Sequence, residues 1–348
     1  MDLSTLGEFG LIELLSRGLP ATRPDVVKGI GDDAAVLQVS GDNWLLFTAD
    51  MLVEDVHFSF ACAAPEQVGY KALAVNISDV AAMGGWPAHA LISLGVPTAT
   101  PVGVLEGIYA GLRRAADEYG VNIVGGDTVK SPERLVINVA LLGLVEAGRA
   151  IYRSGARPGD LIFVTGPLGN SAAGLHLCRH PETPVSPETA GFLRSAHLEP
   201  RARVDAGRIL AKTGKVTAAD DISDGLAGEL HEICRASGVG CRIREEAVPV
   251  DPRVREAARA AGRDPLEWAL YGGEDYELVF TVPPGDAAEI IKEMEINREQ
   301  CFLIGEVLPR EEGILRELPG NQVILLEPRG YDHFRMDKEL TKEFKGKG

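Results

Sequence analysis

Aspartates in small-residue surroundings are the side chains of this sequence best placed to do chemistry: Asp32 and Asp33 in GIGDDAAV, Asp50 in TADML, Asp79 in NISDVAAMGG, Asp127 in GGDT, and Asp221 and Asp224 in DDISDG. A lone aspartate beside glycine reads as a turn former or helix cap. The recurrence of such aspartates in both halves of the chain, each at the end of an apolar element, is not something caps require, whereas loops at strand ends are where α/β proteins gather ligand sites. Converging carboxylates repel one another, so a folded site containing several needs cations. Oxygen ligands with no cysteine or histidine pair nearby point to the hard ion Mg2+, which is usually shared with substrate phosphates. Lys71, Val75 and Asp79 fall along one helix face, so Lys71 is a candidate phosphate contact or a salt-bridged residue.

The elements that must position these residues follow from periodicity. Residues 2–17 have helical spacing of Leu3, Leu6, Leu11, Leu14 and Leu15; GIGDDAAVLQV and WLLFTADML read as paired strands; and a helix is expected from Pro65 to a stop at Gly84-Gly85. HALISLGVP reads as a strand, Val102 to Gly120 as a helix, VNIVGGDT as a strand running into a glycine turn, and RLVINVALLGLVE as a strand. Glycine, proline and charge in GRAIYRSGARPGD break the pattern and suggest a domain boundary; DLIFVTG then opens a second half that includes ADDISDGLAGELHEICRASG and YGGEDYELVFTV. TGPLGNSAAG resembles a strand, turn and helix start able to hold an anion, but no P-loop and no G-x-G-x-x-G after a strand is present.

Composition narrows the function classes. At 348 residues, with 45% hydrophobic and 25% charged residues, the chain suits two α/β domains. A net charge of −16 and a pI near 4.9 argue against nucleic acid as a partner. Five widely spaced cysteines without a C-x-x-C pair suit free thiols in a reducing cytoplasm. The N-terminal residues lack the basic region of a signal peptide, and no apolar run is long enough for a membrane helix, so a cytoplasmic location is expected.

The strings GIGDDAAV, TADMLVEDVHF, YKALAVNISDVAAMGG, GGDT, GRAIYRSGARPGD, TGPLGNSAAGL, DISDGL, GGEDYEL and GYDHF, in this order, resemble the thiamine-monophosphate kinase family over nearly the whole chain. The resemblance implies an α/β, two-domain PurM-like fold, an N-terminal mixed sheet with helices on one face (1–148) and a C-terminal α/β domain (149–337), and the charged KELTKEFKGKG is expected to form a disordered tail (338–348). It implies ATP-dependent phosphorylation of thiamine monophosphate to thiamine diphosphate by direct in-line transfer with several Mg2+ ions, K+ being a further candidate cation, in a homodimer formed through the N-terminal sheets. Carried over residue by residue, Asp33, Thr48, Asp50, Asp79, Asp127, Asp221 and Asp224 are implied metal ligands. Gly126, Asp127, Arg153 and Ser223 are implied ATP contacts, and His57, Glu274 and Tyr331 implied substrate contacts. Ala49 departs from the pattern, because the family often has a hydroxyl residue there.

Five rivals remain open at this point. Selenophosphate synthetase, aminoimidazole ribonucleotide synthetase and a hydrogenase-maturation protein share the implied fold; the first usually carries a reactive cysteine or selenocysteine before the position of Cys62, and the last a C-terminal cysteine motif where this sequence reads FKGKG. A non-catalytic Mg-nucleotide-binding regulator and a two-metal phosphohydrolase would use the same acidic set.

Overall fold

The computed structural model describes residues 3–16 and 23–334, and the tail expected over 338–348 lies outside the described residues. The first half contains α1 (Leu3–Ser16), β1 (Val26–Lys28), β2 (Ala35–Ser40), β3 (Asn43–Val53), α2 (Pro65–Ala82), β4 (Trp86–Pro97), α3 (Val102–Tyr119), β5 (Asn122–Ser131) and β6 (Val136–Glu146). The second contains β7 (Leu161–Val164), α4 (Asn170–Arg179), α5 (Pro187–Leu198), α6 (Val204–Thr213), β8 (Ala218–Asp221), α7 (Leu226–Ser237), β9 (Gly240–Arg244), α8 (Pro252–Ala261), α9 (Pro265–Tyr271), β10 (Leu278–Val282), α10 (Ala287–Ile296), β11 (Phe302–Leu308), β12 (Ile314–Glu317) and β13 (Val323–Leu325).

Each half builds one mixed sheet. The first has strand order β1-β2-β3-β6-β4-β5, with β4 and β5 parallel and the other pairs antiparallel. Residues of β6 alternate strictly between buried and half-buried, as a sheet with one covered face requires. The covered face packs on α2 and α3; the other leaves Phe47, Met51 and Leu91 44%, 53% and 46% exposed. The second sheet, β13-β12-β9-β11-β7-β10-β8, is covered on both faces. Ile162, Val164 and Val279 point to one core, while Phe163 and Phe280, their rings stacked at 5.5 Å, point to the other.

Helix α2 ties the halves together. Proline at its first turn sets its start, the chain leaves it at Gly84 (φ +73°), and almost its whole length is buried. It is gripped by close backbone approaches: a Cβ on Gly111 of α3 would lie 1.8 Å from the Glu66 carbonyl oxygen, and one on Gly207 of α6 would lie 2.0 Å from that of Ala81. Only glycine fits at either place, which is how α2 comes within reach of both sheets.

Two expectations need correction. The segment expected as one strand from Gly29 is a loop up to Ala34, so the acidic pair Asp32-Asp33 precedes β2. β5 also does not turn at Gly125-Gly126 but runs through GGDT to Ser131, with a register irregularity between Ala90 and Leu91. Gly126 adopts φ +155° against β4, where a Cβ would lie 1.7 Å from the Ile92 carbonyl oxygen, so the glycine serves a close strand pairing and not a turn.

We predict that Gly111→Ala destabilises the protein by about 2 kcal/mol by forcing α3 off α2. Gly191→Ala, on an exposed stretch of α5 with nothing near its Cβ position, should stabilise it by roughly 0.5–1 kcal/mol. Denaturant midpoints of the two variants check the pair; equal shifts would contradict this packing.

Candidate active site

The floor of the site is set where β3 lies against α2. Thr48 and Asp50 stand two apart on β3 and turn toward the helix, while Ala49 between them is exposed on the opposite face. Thr48 Oγ1 donates to Asp79 Oδ2 at 2.5 Å, and the Asp50 amide donates to Asn76 Oδ1 at 2.9 Å. Asn76 is itself held by Nδ2 donating to the Ala72 carbonyl at 3.1 Å, and Asn138 Nδ2 donates to the Asp50 carbonyl at 3.1 Å. The next residue but one along the helix from Asn76, Ser78, donates from Oγ to Asp221 Oδ2 at 2.5 Å, joining α2 to the end of β8. The last turns of α2 thus hold aspartates from both halves. Asp50 lies within β3 and Asp79 within the last turn of α2, and alternating strand geometry aims the mid-strand carboxylate at the helix.

Behind this floor the loop before β2 brings Asp33 against β8. One carboxylate oxygen each of Asp33, Asp220 and Asp221 lies within 4.8 Å of the others. Arg153 pairs with Asp33 and, through Nε at 3.0 Å, with Asp220; its amide donates to Asp32 Oδ1 at 2.8 Å, and Lys28 Nζ lies 2.8 Å from Asp32 Oδ2. Asp33 Oδ2 and Asp220 Oδ1 are buried with no donor among the described residues, and the two carboxyls can hydrogen-bond each other only when one is protonated.

Burial pushes the carboxyls of Asp33, Asp50, Asp79, Asp220 and Asp221 up, and repulsion from neighbouring carboxylates adds to it. Asp50 is raised to about 6 by burial and by Asp33 and Glu8, and Asp221 to about 7 by burial and Asp33. Asp79 is held well above the usual range by burial and by Asp50, Asp221 and Asp33. Asp224, at the mouth, rises to about 7 through burial and Glu8. Buried carboxylates with bare oxygens and no nitrogen or sulfur ligand among them fit a hard divalent cation.

A cleft of ≈ 2400 Å³ opens from Asp50 and Asp79 toward His57, Asp224, Glu274 and Tyr331. His57 Nδ1 accepts from the Val53 amide at 3.0 Å, so Nε2 carries the proton and faces His333 Nε2 at 3.3 Å. Tyr331 Oη lies 3.4 Å from His333 Nδ1, and the Tyr331 amide donates to the Asp224 carbonyl at 3.1 Å, which seats the C-terminal segment on the cleft. Glu274, at φ +67°, meets Lys71 Nζ at 2.6 Å and His197 Nδ1 at 3.2 Å.

The profile of the AIR synthase related protein N-terminal domain matches residues 31–145, and that of the C-terminal domain matches residues 157–317. The chain is 39% identical to a thiamine-monophosphate kinase of Bacillus subtilis, over 95% of its own length and 100% of that protein's, and 39% identical to one of Aquifex aeolicus, over 96% and 100%. The chain belongs to the thiamine-monophosphate kinase family. Its fold superposes on that of AaThiL complexed with AMPPCP and TMP with a TM-score of 0.82, at 39% identity, over 96% of this chain and 99% of the other. The two-domain PurM-like fold implied by the sequence resemblance is the fold of the structure.

Of the residues matched to the family pattern, Asp33, Thr48, Asp50, Asp79 and Asp221 meet around the end of α2, while Ser223, Asp224, His57, Glu274 and Tyr331 line the cleft. Gly126 and Asp127 do not join them. Asp127 is exposed on the edge strand β5, its carboxylate accepting from its neighbour Thr128's amide at 2.8 Å and, among the described residues, from no other donor. Arg153 is occupied by Asp33 and Asp220. Sequence reasoning missed Asp220, Ser78, His197 and Glu229; the last accepts from the Asp224 amide at 2.8 Å and is held well above the carboxylate range by burial and Asp224. Asp220 had a legible signal, the doubled aspartate of DDISDG, but His197 had none, being supplied by a helix with no motif.

The raised carboxyls carry a pH signature in this kinase-family chain. Acids whose folded pKa lies above the unfolded value stabilise the metal-free fold below about pH 4, and that contribution is lost as pH rises through the folded values of about 6 to 7. We predict that the metal-free melting temperature falls between about pH 5 and 8, and that Mg2+ raises it several-fold more at pH 8 than at pH 5. Differential scanning fluorimetry checks this; equal Mg2+ shifts at both pH values would contradict it.

Proposed function

We propose that the chain transfers the γ-phosphoryl group of ATP to thiamine monophosphate, giving thiamine diphosphate, by direct in-line transfer with several Mg2+ ions and no phosphoenzyme. The observation that carries this reading is the meeting of Asp33, Asp50, Asp79 and Asp221, from both halves, at one end of a cleft whose other end presents His57, Glu274 and Tyr331. The relative solved with AMPPCP and TMP supports both substrates.

The acceptor is a phosphate monoester, mostly dianionic at neutral pH, so no strong general base is needed. The obstacle is repulsion between acceptor and donor: two dianions about 5 Å apart cost about 3 kcal/mol even in water and more in a drier site. Bound Mg2+ would supply the neutralising charge. Asp50, Asp79 and Asp221 would hold it, with Asp33 and Asp224 flanking them, and Thr48 and Ser78 would fix the orientation of Asp79 and Asp221. Arg153 pairs with Asp33 and Asp220 beside the cluster and is placed to exchange a carboxylate for phosphate. The face of Tyr331 at the cleft mouth suits a cationic thiazolium ring.

The apolar open face of the first sheet, with Phe47 and Leu91 at its surface, would be covered in a homodimer, and Asp127 on β5 would then lie in that interface. The free state of all five cysteines suits a cytoplasmic enzyme. Sedimentation should show a dimer that Leu91→Asp converts to monomer; a wild-type monomer would contradict this part of the reading.

The central test is to incubate the protein with Mg-ATP and a panel of phosphate monoesters and identify products by mass. Thiamine diphosphate should appear from thiamine monophosphate. Tight Mg-ATP binding without turnover would indicate a regulator, and phosphate release without ATP a phosphohydrolase. Asp79→Asn and Asp221→Asn should each lower kcat by about 100-fold or more while leaving metal-free stability unchanged or higher, since each removes a repelling carboxylate. Wild-type rates in both would refute their metal role.

A further inference from the structure

Lys71 is a buried cation with unused donors. It projects from the middle of α2, is 3% exposed, and lines the cleft. Its ammonium meets Glu274 Oε1 at 2.6 Å and has no hydrogen-bond acceptor beyond that ion pair among the described residues. An ammonium carries three N–H groups, so donors remain for a ligand in the cleft.

Glu274 is equally constrained. Its backbone stands at φ +67°, unusual for a residue with a side chain, and is held there by its amide donating to the Ser223 carbonyl at 2.6 Å. The next glycine back, Gly273, leaves no room for a Cβ, which would lie 2.5 Å from the same carbonyl oxygen. Burial works to raise the Glu274 carboxyl, but Lys71 and the His197 hydrogen bond outweigh it and hold the group well below the usual carboxylate range. His197 is kept neutral by its own burial and by Lys71, and an ionised carboxylate only accepts, so Nδ1–H donates to Glu274 Oε2, with Ser171 Oγ 3.0 Å from the same nitrogen.

This pairing changes what Glu274 can do. With a lysine charge at 2.6 Å, the carboxylate is largely neutralised and offers a cation little net attraction. It still has free lone pairs, and they stand directly beside the free N–H groups of Lys71. We propose that Glu274 and Lys71 form an acceptor–donor edge that reads an aminopyrimidine: the carboxylate accepts the exocyclic amino N–H while the ammonium donates to the adjacent ring nitrogen. His197 is a positioning residue that fixes the carboxylate for this contact. The inference rests on thiamine monophosphate being the acceptor, and it assigns specificity for that end of the molecule to hydrogen bonding.

The test compares thiamine monophosphate with its 4-oxo analogue, in which a carbonyl replaces the amino group and the ring nitrogen carries a proton, inverting donor and acceptor. The wild-type kcat/KM should favour the amino compound by about 100-fold or more. Lys71→Met should cut that preference below about 10-fold with the KM for Mg-ATP unchanged, and His197→Asn should raise the acceptor KM more than it lowers kcat. Wild-type turnover of both compounds within about threefold overturns the edge, whether or not Lys71→Met folds. A preference that survives in folded Lys71→Met overturns the lysine's part in it. Turnover of neither, with some other acceptor phosphorylated, overturns the thiamine reading itself.

Discussion

Repulsion among carboxylates that the fold buries together is the constraint on which the site depends. Asp50, Asp79 and Asp221 are each raised by burial and by neighbouring carboxylates, Asp33 among them, and among the described residues Arg153 is the countercharge paired within the cluster. Unfolding would relieve that repulsion, so the surrounding structure must oppose it. The close packing of α2 against α3 and α6 through glycines supplies the opposition, because a helix gripped by backbone contacts cannot drift to let the aspartates separate. The same helix hands out the hydrogen bonds that orient them: Asn76 to the Asp50 amide, Asp79 to Thr48, and Ser78 to Asp221.

The cleft therefore has two electrical regimes. At one end carboxylates outnumber cations and have bare oxygens; at the other Lys71 and Glu274 compensate each other at 2.6 Å. On the proposed reading, cations would sit at the first, where the phosphates of donor and acceptor would be brought together against their own repulsion. At the second, compensation leaves directional hydrogen bonding as the means of recognition. Both ends hang from α2, which carries Lys71 in its first half and Asp79 in its last turn, so the spacing between charge neutralisation and recognition is fixed by the rigid rise of one helix.

Much of this was legible in the residues. Pro65 and Gly84 mark α2, Gly120 ends α3 in the left-handed conformation, and the acidic strings announced the cation-seeking cluster. What was not legible follows from long-range geometry. Nothing near residue 50 says that an aspartate in mid-strand faces a helix that comes later in the chain. GGDT read as a turn because two glycines and an aspartate usually make one, whereas here Gly126 is needed for the approach of β5 to β4. Lys71 could meet a phosphate, though a lysine there is more often solvated or salt-bridged, and the structure shows the ion pair; its partner Glu274 and the supporting His197 lie about 200 and 125 residues away. Asp127 carries the family motif yet stands apart from the other carboxylates within one chain.

The most direct measurement of the central claim is a crystal structure of the protein soaked with Mn2+, an ATP analogue and thiamine monophosphate, with anomalous scattering used to locate the metal. The account predicts peaks at oxygen-coordination distance, about 2.2 Å, from Asp50, Asp79 and Asp221, bridged to the terminal phosphates of the nucleotide. Metal bound elsewhere, with Asp79 and Asp221 still paired only to Thr48 and Ser78 and the Asp50 carboxylate away from the metal, would contradict it.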